Sequence, residues 1–302
     1  MSYKVMAACV QSCCTKSASI KPISFHLNGS LVGGPSLCQL MVDDVWCTIQ
    51  EEARTDAEEE PFLRKHYYDL VLCHATLESA LSAHLASKLA VPTVLPSCAL
   101  QELISSVLTK DPNIRRALRC DLRAAKGRDP ACAKMAHCFL YYKGFQALQV
   151  HRVAHRLWTE GRRATALLLQ SRTSEVLAVD IHPGARIGAG VLLDHATGVV
   201  IGETTVVGDD VSILHGVTLG GTGKEGGDRH PKIGDGVLLG AGTKILGNVR
   251  IGEGTKIGAG SVVLKVVPPR TTAVGNPATL VNGKENRTGH IVDHTSCSNS
   301  AN

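Results

Sequence analysis

The stretch KIGDGVLLGAGTKILGNVRIGEGTKIGAGSVV, residues 232–263, places an aliphatic side chain at every sixth position: Ile233, Leu239, Ile245, Ile251, Ile257 and Val263. A period of six fits neither the 3.6 of a helix nor the 2 of an ordinary half-buried strand. It is the signature of a parallel β-helix, in which each hexad forms one side of a triangular coil and three hexads close a turn. Each marker then points into a narrow interior, glycine takes the tight corner, and successive coils stack at about 4.8 Å. Six markers in an unbroken run make chance an implausible source. The spacing itself leaves the hand of the coil open.

The same period extends upstream through Ile187, Leu193, Ile201, Val207, Ile213 and Leu219, with two interruptions. Between Leu193 and Ile201 the step is eight, and between Leu219 and Ile233 it is fourteen, one hexad plus eight extra residues. The longer interruption, LGGTGKEGGDRHPKIG over 219–234, reads as a loop protruding from the prism over 220–232. Loops held by rigid scaffolds are where chemistry tends to sit. A phosphate-binding loop would need GxxxxGK, then Ser or Thr, then a helix. Here Gly223-Lys224 is followed by Glu225, position 218 is a threonine, and the chain returns to hexads, so nucleotide hydrolysis does not fit.

The rest of the 302 residues reads differently. From Asp43 to Val179 the periodicity is helical and predicts a domain of five to seven helices. In YYDLVLCHATLESALSAHLASKLA, Leu70, Leu77, Leu81, Leu85 and Leu89 fall at helical spacing, and the segment stops before Pro92. Asp111-Pro112 and Asp129-Pro130 each read as an N-cap followed by proline at the first helical position, and Gly127 and Gly161 as helix ends. Residues 180–280 form the β-helix, and 281–302 read as a flexible tail. Residues 1–42 hold seven serines, three lysines and no Asp, Glu or Arg, so they read as a disordered or transit-like extension.

Composition narrows the function classes. A net charge of +5 with both signs interspersed and only 4% aromatic residues argue against a nucleic-acid partner. Eleven cysteines, an odd number with no CxxC pair, are expected as free thiols in a reducing compartment. No apolar run approaches the roughly 18 residues of a membrane span. A soluble, cytoplasmic protein is expected, or a plastid or mitochondrial one if residues 1–42 direct it there.

The histidines of the repeat can be placed by counting. His195 and His215 each follow a marker by two residues, and those markers are three hexads apart, so the two side chains stack on neighbouring coils. With His230 nearby in sequence they raise a three-histidine zinc site with a bound water. The alternative is acid–base chemistry: Asp194-His195 in LDHATG, with Asp180 one coil earlier, supplies an imidazole and carboxylates to orient it. Satisfied corner polar groups are the structural alternative to both.

The segments DIHPGARIGAGVLLDHATGVVIGET, VSILHGVTLGGTGKEGGDRHPKIGDGVLLGAGTKILGN, IGAGSVVLK and GNPA, with EEARTDAEEEPFL and RDPACAKMAHCFLYYKGFQALQVHRVAHRLWTEGR in the helical half, resemble serine O-acetyltransferase. The likeness is to plant-type members of that hexapeptide-repeat family and covers about residues 43–280. It implies an N-terminal all-α domain followed by a left-handed parallel β-helix, and transfer of acetyl from acetyl-CoA to L-serine in cysteine biosynthesis, with no metal. By the family pattern His195 is the general base and Asp180 its partner, while Asp129, Asp194, Arg229 and His230 line the serine pocket. Thr222, Ala241, Lys256 and Ala259 match coenzyme-contact positions. Lys244, Arg250 and Lys232 are expected as solvated corners of the prism.

The resemblance further implies a homotrimer or a dimer of trimers with sites between prisms, and L-cysteine as feedback inhibitor. One departure concerns the tail: the chain ends TGHIVDHTSCSNSAN, without the terminal isoleucine that docks into O-acetylserine sulfhydrylase, which puts that partner in doubt. Two competing readings are another hexapeptide acyltransferase acting on a sugar or amine, and a catalytically silent scaffold. GGDRHP with the helical half argues against the first, and the intact His195, Asp180, Asp194, Arg229 and His230 against the second.

Overall fold

A computed structural model describes residues 43–223 and 226–281. The extension expected over 1–42 and the tail beyond Val281 lie outside these residues. Eight α-helices occupy the first part: α1 (Asp44–Glu59), α2 (Arg64–Tyr67), α3 (Leu77–Leu89), α4 (Ser97–Lys110), α5 (Pro112–Arg128), α6 (Met135–Tyr141), α7 (Lys143–Thr159) and α8 (Arg163–Leu177). That is one more than the five to seven expected, the shortest being α2, a single turn of four residues. Asp111 caps α5 as expected, its carboxylate accepting from the backbone N–H groups of Asn113 and Ile114.

Two sequence expectations change here. The segment 67–90 is not one helix: a π-helical turn over Tyr68–Leu72 ends before α3, whose start is capped by the Thr76 hydroxyl accepting from Ser79 N–H. A hydroxyl that serves the backbone in this way ends one helix and starts the next. Leu77, Leu81, Leu85 and Leu89 are nonetheless fully buried, with Leu70 packed on the same core. Nor does Asp129 open a helix. It terminates α5, and its carboxylate accepts from Ala131 N–H in a turn; α6 begins only at Met135. Pro130 therefore stops a helix rather than starting one.

After Ala178, in left-handed conformation at φ 56°, the chain coils into a triangular prism. Face one stacks β1 (Val179–Ile181), β4 (Val199–Ile201), β7 (Thr218–Gly220), β10 (Lys244–Leu246) and β13 (Val262–Val263). Face two stacks β2 (Arg186–Ile187), β5 (Val206–Val207), β8 (Lys232–Ile233) and β11 (Arg250–Ile251). Face three holds β3 (Leu192–Leu193), β6 (Ser212–Ile213), β9 (Leu238–Leu239), β12 (Lys256–Ile257), β14 (Thr272–Gly275) and β15 (Ala278–Leu280). The markers fall in three columns, for example Leu193, Ile213, Leu239 and Ile257, all in parallel register and buried. The last pair, β14 and β15, is antiparallel, so the prism ends in a hairpin instead of another coil.

The glycines of each hexad have two tasks where the sequence suggested one. Gly242, with φ 71°, makes the corner. Gly240, directly after its marker, instead leaves room for the next coil: a Cβ there would lie 2.6 Å from the backbone nitrogen of Ala259.

The helices are tied to the prism by a buried ion pair. Asp121 of α5 accepts from Arg152 and Gln149 of α7 and from Val191 N–H of the prism, while Arg152 also donates to the carbonyls of Ile187 and Gly188. Arg128 at the end of α5 adds contacts to Asp210 and Ser212. The described residues form one compact unit.

Candidate active site

The corner between faces three and one carries His195. Its side chain is 76% exposed, with Nε2 3.9 Å from Asp194 Oδ1, and its ring lies edge-on to that of His215 at 5.9 Å between centroids. The stacking expected from counting is therefore present. Asp129, Asp194 and His195 share one cavity of about 370 Å³ with Tyr141, Tyr142 and Lys143. The helical half thus reaches the prism where the sequence placed the base. Burial, with Asp129 beside it, raises the pKa of the Tyr142 phenol.

The corner between faces one and two carries the long loop and the other half of the expected constellation. Arg229 Nη2 donates to Glu203 Oε2 at 2.8 Å, which holds the Glu203 carboxyl below the usual carboxylate range. His230 Nδ1 lies 3.2 Å from Thr204 N–H. A backbone N–H can only donate, so Nδ1 is an acceptor and the ring proton sits on Nε2. Burial and the Arg229 cation push the pKa of His230 down. The ring packs against Gly202, where a Cβ would come within 2.1 Å of it. Thr204 is the hub of this corner, its hydroxyl accepting from the backbone N–H groups of Arg229 and His230.

Asp180 lies on face one in β1, in register with Val200. Its Oδ1 accepts from Gln170 Nε2 of α8 at 2.7 Å, and within one chain its carboxylate is not in ion-pair reach of His195. Nor does one chain bring His195 and His215 together with His230, which sits at the opposite corner. Among the described residues no group of three or more His, Cys, Asp or Glu side chains is placed to hold a metal ion. Glu203, Thr204, Gln170 and Lys143 were not singled out in the sequence, since their partners lie between 10 and 54 residues away.

Ala241 and Ala259 continue the His195 corner. Gly242 N–H donates to His215 O and Gly260 N–H to Ala241 O, so His195, His215, Ala241 and Ala259 mark four successive coils. Three coil spacings of about 4.8 Å make this track about 14 Å long. Lys256 stands on face three just before Ala259, while Thr222 lies in the loop at the other corner, against Gly247. The lysines and Arg250 are face residues and not corners, because each directly precedes a marker in its strand. Lys244 Nζ donates to Gly216 O, and Lys232 Nζ to Asp228, Thr204 O and His230 O.

The N-terminal domain profile of serine acetyltransferases matches residues 45–150, and the bacterial transferase hexapeptide profile of six repeats matches 230–265. A probable serine acetyltransferase 4 of rice is 61% identical over 277 residues, covering 92% of this chain and 86% of that one. The chain belongs to the serine acetyltransferase family. A chloroplastic family member of Arabidopsis thaliana, serine acetyltransferase 1, is 62% identical over 82% of this chain and 79% of its own. The soybean serine acetyltransferase complexed with serine superposes with a TM-score of 0.77 at 62% identity, covering 78% of this chain and 97% of that one. The Brucella abortus family member in complex with coenzyme A gives 0.79 at 48% identity, over 81% and 98%. The prism is accordingly the left-handed β-helix of hexapeptide repeats, and the family makes this chain an acyltransferase.

Proposed function

We propose that this chain transfers the acetyl group of acetyl-CoA to the hydroxyl of L-serine, giving O-acetyl-L-serine and CoA, in a site completed between two copies of the chain. The observation that carries this reading is the division of one constellation across face one. Asp129, Asp194 and His195 lie at one corner, and Arg229 and His230 at the other. Between them run the three residues Val199–Ile201, about 10 Å of strand. A serine molecule is shorter than that span. Packing face one of neighbouring prisms about a threefold axis brings the two corners together, since a heterologous contact closes into a ring. The proposed assembly is a homotrimer, with two trimers joined through their helical halves.

In that site His195 takes the proton as the serine oxygen attacks the thioester carbon. The new C–O bond forms, the C–S bond breaks, and the imidazolium returns its proton to the departing thiolate. Both substrates are bound together and no acyl-enzyme forms. Arg229 turns its fork from Glu203 to the serine carboxylate, a bidentate pairing, while Asp129 and Asp194 receive the ammonium. His230 donates its Nε2–H within the pocket. Asp180 is the proposed orienting partner of His195 once the neighbouring prism is in place. Backbone N–H groups of the glycine-rich loop hold the developing oxyanion. Acetyl-CoA lies along the corner track, against Ala241, Ala259 and Lys256 of one chain and Thr222 of its neighbour. The serine and coenzyme A complexes of the soybean and Brucella enzymes support both substrates.

The test uses two inactive variants, His195→Asn and Arg229→Ala, purified separately, then dissociated and reassembled together. If each site draws one corner from each of two chains, about one quarter of the sites in a random one-to-one mixture pair two intact corners, and the rate recovers to that fraction. No recovery from trimers shown to contain both variants would overturn the shared site.

L-Cysteine carries the same carboxylate and ammonium as serine, and is proposed as an inhibitor competing for the Arg229–Asp129 pocket; an unchanged rate under saturating cysteine would reject this. For location we propose the cytoplasm, because residues 1–42 lack the arginines of a transit peptide. The mitochondrial and chloroplastic names of two Arabidopsis relatives make the organelles the alternative, to be tested by following a fluorescent fusion of residues 1–42.

A further inference from the structure

The turn that carries His195 is conformationally costly, and what holds it is not confined to the prism. His195 and Ala196 are consecutive non-glycine residues in the left-handed region, at φ 53° and 58°. L residues avoid that region, and such a turn persists only where its surroundings over-determine it. Two successive three-residue turns, Ala196 N–H to Asp194 O and Thr197 N–H to His195 O, shape the backbone, and Ala196 is fully buried in the prism. These contacts fix the inner side. On the outer side, where the His195 ring stands in the cavity, the turn meets the first two residues of α7.

Gly144 approaches so closely that a Cβ there would lie 2.1 Å from Leu193 O and 3.0 Å from the Ala196 Cβ. Lys143 reaches across in the other direction, its ammonium donating to the Thr197 hydroxyl. The dipeptide therefore brackets the turn, Gly144 at its entry and Lys143 at its exit. The same lysine lines the cavity with Asp129, Asp194 and His195.

We propose that Lys143 is a positioning residue for the acetyl transfer: its bond to Thr197 holds the 194–198 turn in the one conformation that aims the His195 ring into the substrate cavity. This rests on the reading of His195 as the base. Lys143 needs no contact with either substrate for this role. Although it lines the cavity, its ammonium is engaged by the Thr197 hydroxyl, while the serine ammonium goes to Asp129 and Asp194 and the carboxylate to the neighbour's Arg229, so the lysine acts on the reaction through the turn.

The experiment is a double-mutant cycle on the full-length protein with Lys143→Met, Thr197→Val, their combination and the conservative Lys143→Arg. Misplacing a reacting group by about 1 Å can cost on the order of 10²-fold, so Lys143→Met is expected to lower kcat about 10- to 100-fold. KM for serine and acetyl-CoA should stay within about threefold, since no substrate contact is removed. Thr197→Val should lower kcat in the same direction, the double variant should be no slower than Lys143→Met alone, and Lys143→Arg should recover most of the rate. Three results would overturn the proposal: a Lys143→Met kcat within twofold of the parent, a loss confined to the KM for serine, or losses that multiply in the double variant. Melting temperatures measured alongside identify a fall in rate that comes from unfolding, which Lys143→Arg would not reverse. His195→Asn in the same assay separates the two levels of the reading. Retained activity there refutes the base assignment itself, whereas an inactive His195→Asn beside an unaffected Lys143→Met refutes only the bracket.

Discussion

Replacing His195 by asparagine is expected to lower the serine-dependent release of CoA from acetyl-CoA by about 10²–10⁴-fold, the usual worth of a positioned general base. Asparagine is the informative substitution because the backbone at this position has φ 53°, a conformation that asparagine tolerates better than most residues and alanine does not. The imidazole is 76% exposed and contributes little to packing, so the variant should melt within a few degrees of the parent. Loss of rate then reports chemistry and not folding. A decline of less than about tenfold would move the base elsewhere, to the stacked His215 or to His230 from the opposite corner.

The largest effect on stability is expected from Asp121→Asn. Asp121 is 1% exposed and holds Arg152 in a two-pronged contact at 2.8 and 3.0 Å, while also accepting from Gln149 and from Val191 N–H. Neutralising the carboxylate leaves the Arg152 guanidinium buried without its counter-charge, a change that typically costs about 3–5 kcal/mol. For a chain of this size that corresponds to a fall in melting temperature of roughly 10 °C. Because the same carboxylate joins α5 and α7 to the prism, activity should be lost at a lower temperature in parallel with the melt. A melting temperature within 2 °C of the parent, on the order of 1 kcal/mol or less, would show that the carbonyls of Ile187 and Gly188 suffice to hold Arg152.

What could be read in the sequence was what repeats or caps locally. The columns of markers follow directly from a six-residue period, and the His195–His215 stack follows from counting within it. The Asp111 cap was likewise visible in its dipeptide. The same dipeptide at Asp129 misled, because an aspartate before proline suits either end of a helix, and which end it serves depends on where α5 exhausts its buried face. The gap at 73–76 was hidden for a related reason: leucines on both sides of Thr76 bury against one core, so their spacing persists through a break in the backbone. Contacts between the halves were not legible at all. Nothing in the neighbourhood of Asp121 announces Arg152, 31 residues on, or Val191, 70 residues on, and nothing near Arg229 announces Glu203. The split of the site between two corners is implicit in the same count of markers, since the loop leaves after Leu219, four markers beyond Leu193 and so one turn and one corner further on.

The columns of markers also restrict how such a chain can change in length. Inserting a single residue between Ile233 and Val263 would turn every later marker from the interior to the outside, whereas eighteen residues add one whole storey and leave all columns aligned. The protruding loop escapes this rule because it leaves and rejoins the prism at the same corner. Length variation in the prism is thus quantised by the storey, each addition moving Ala259 about 4.8 Å further from His195, while the loop can be lengthened one residue at a time.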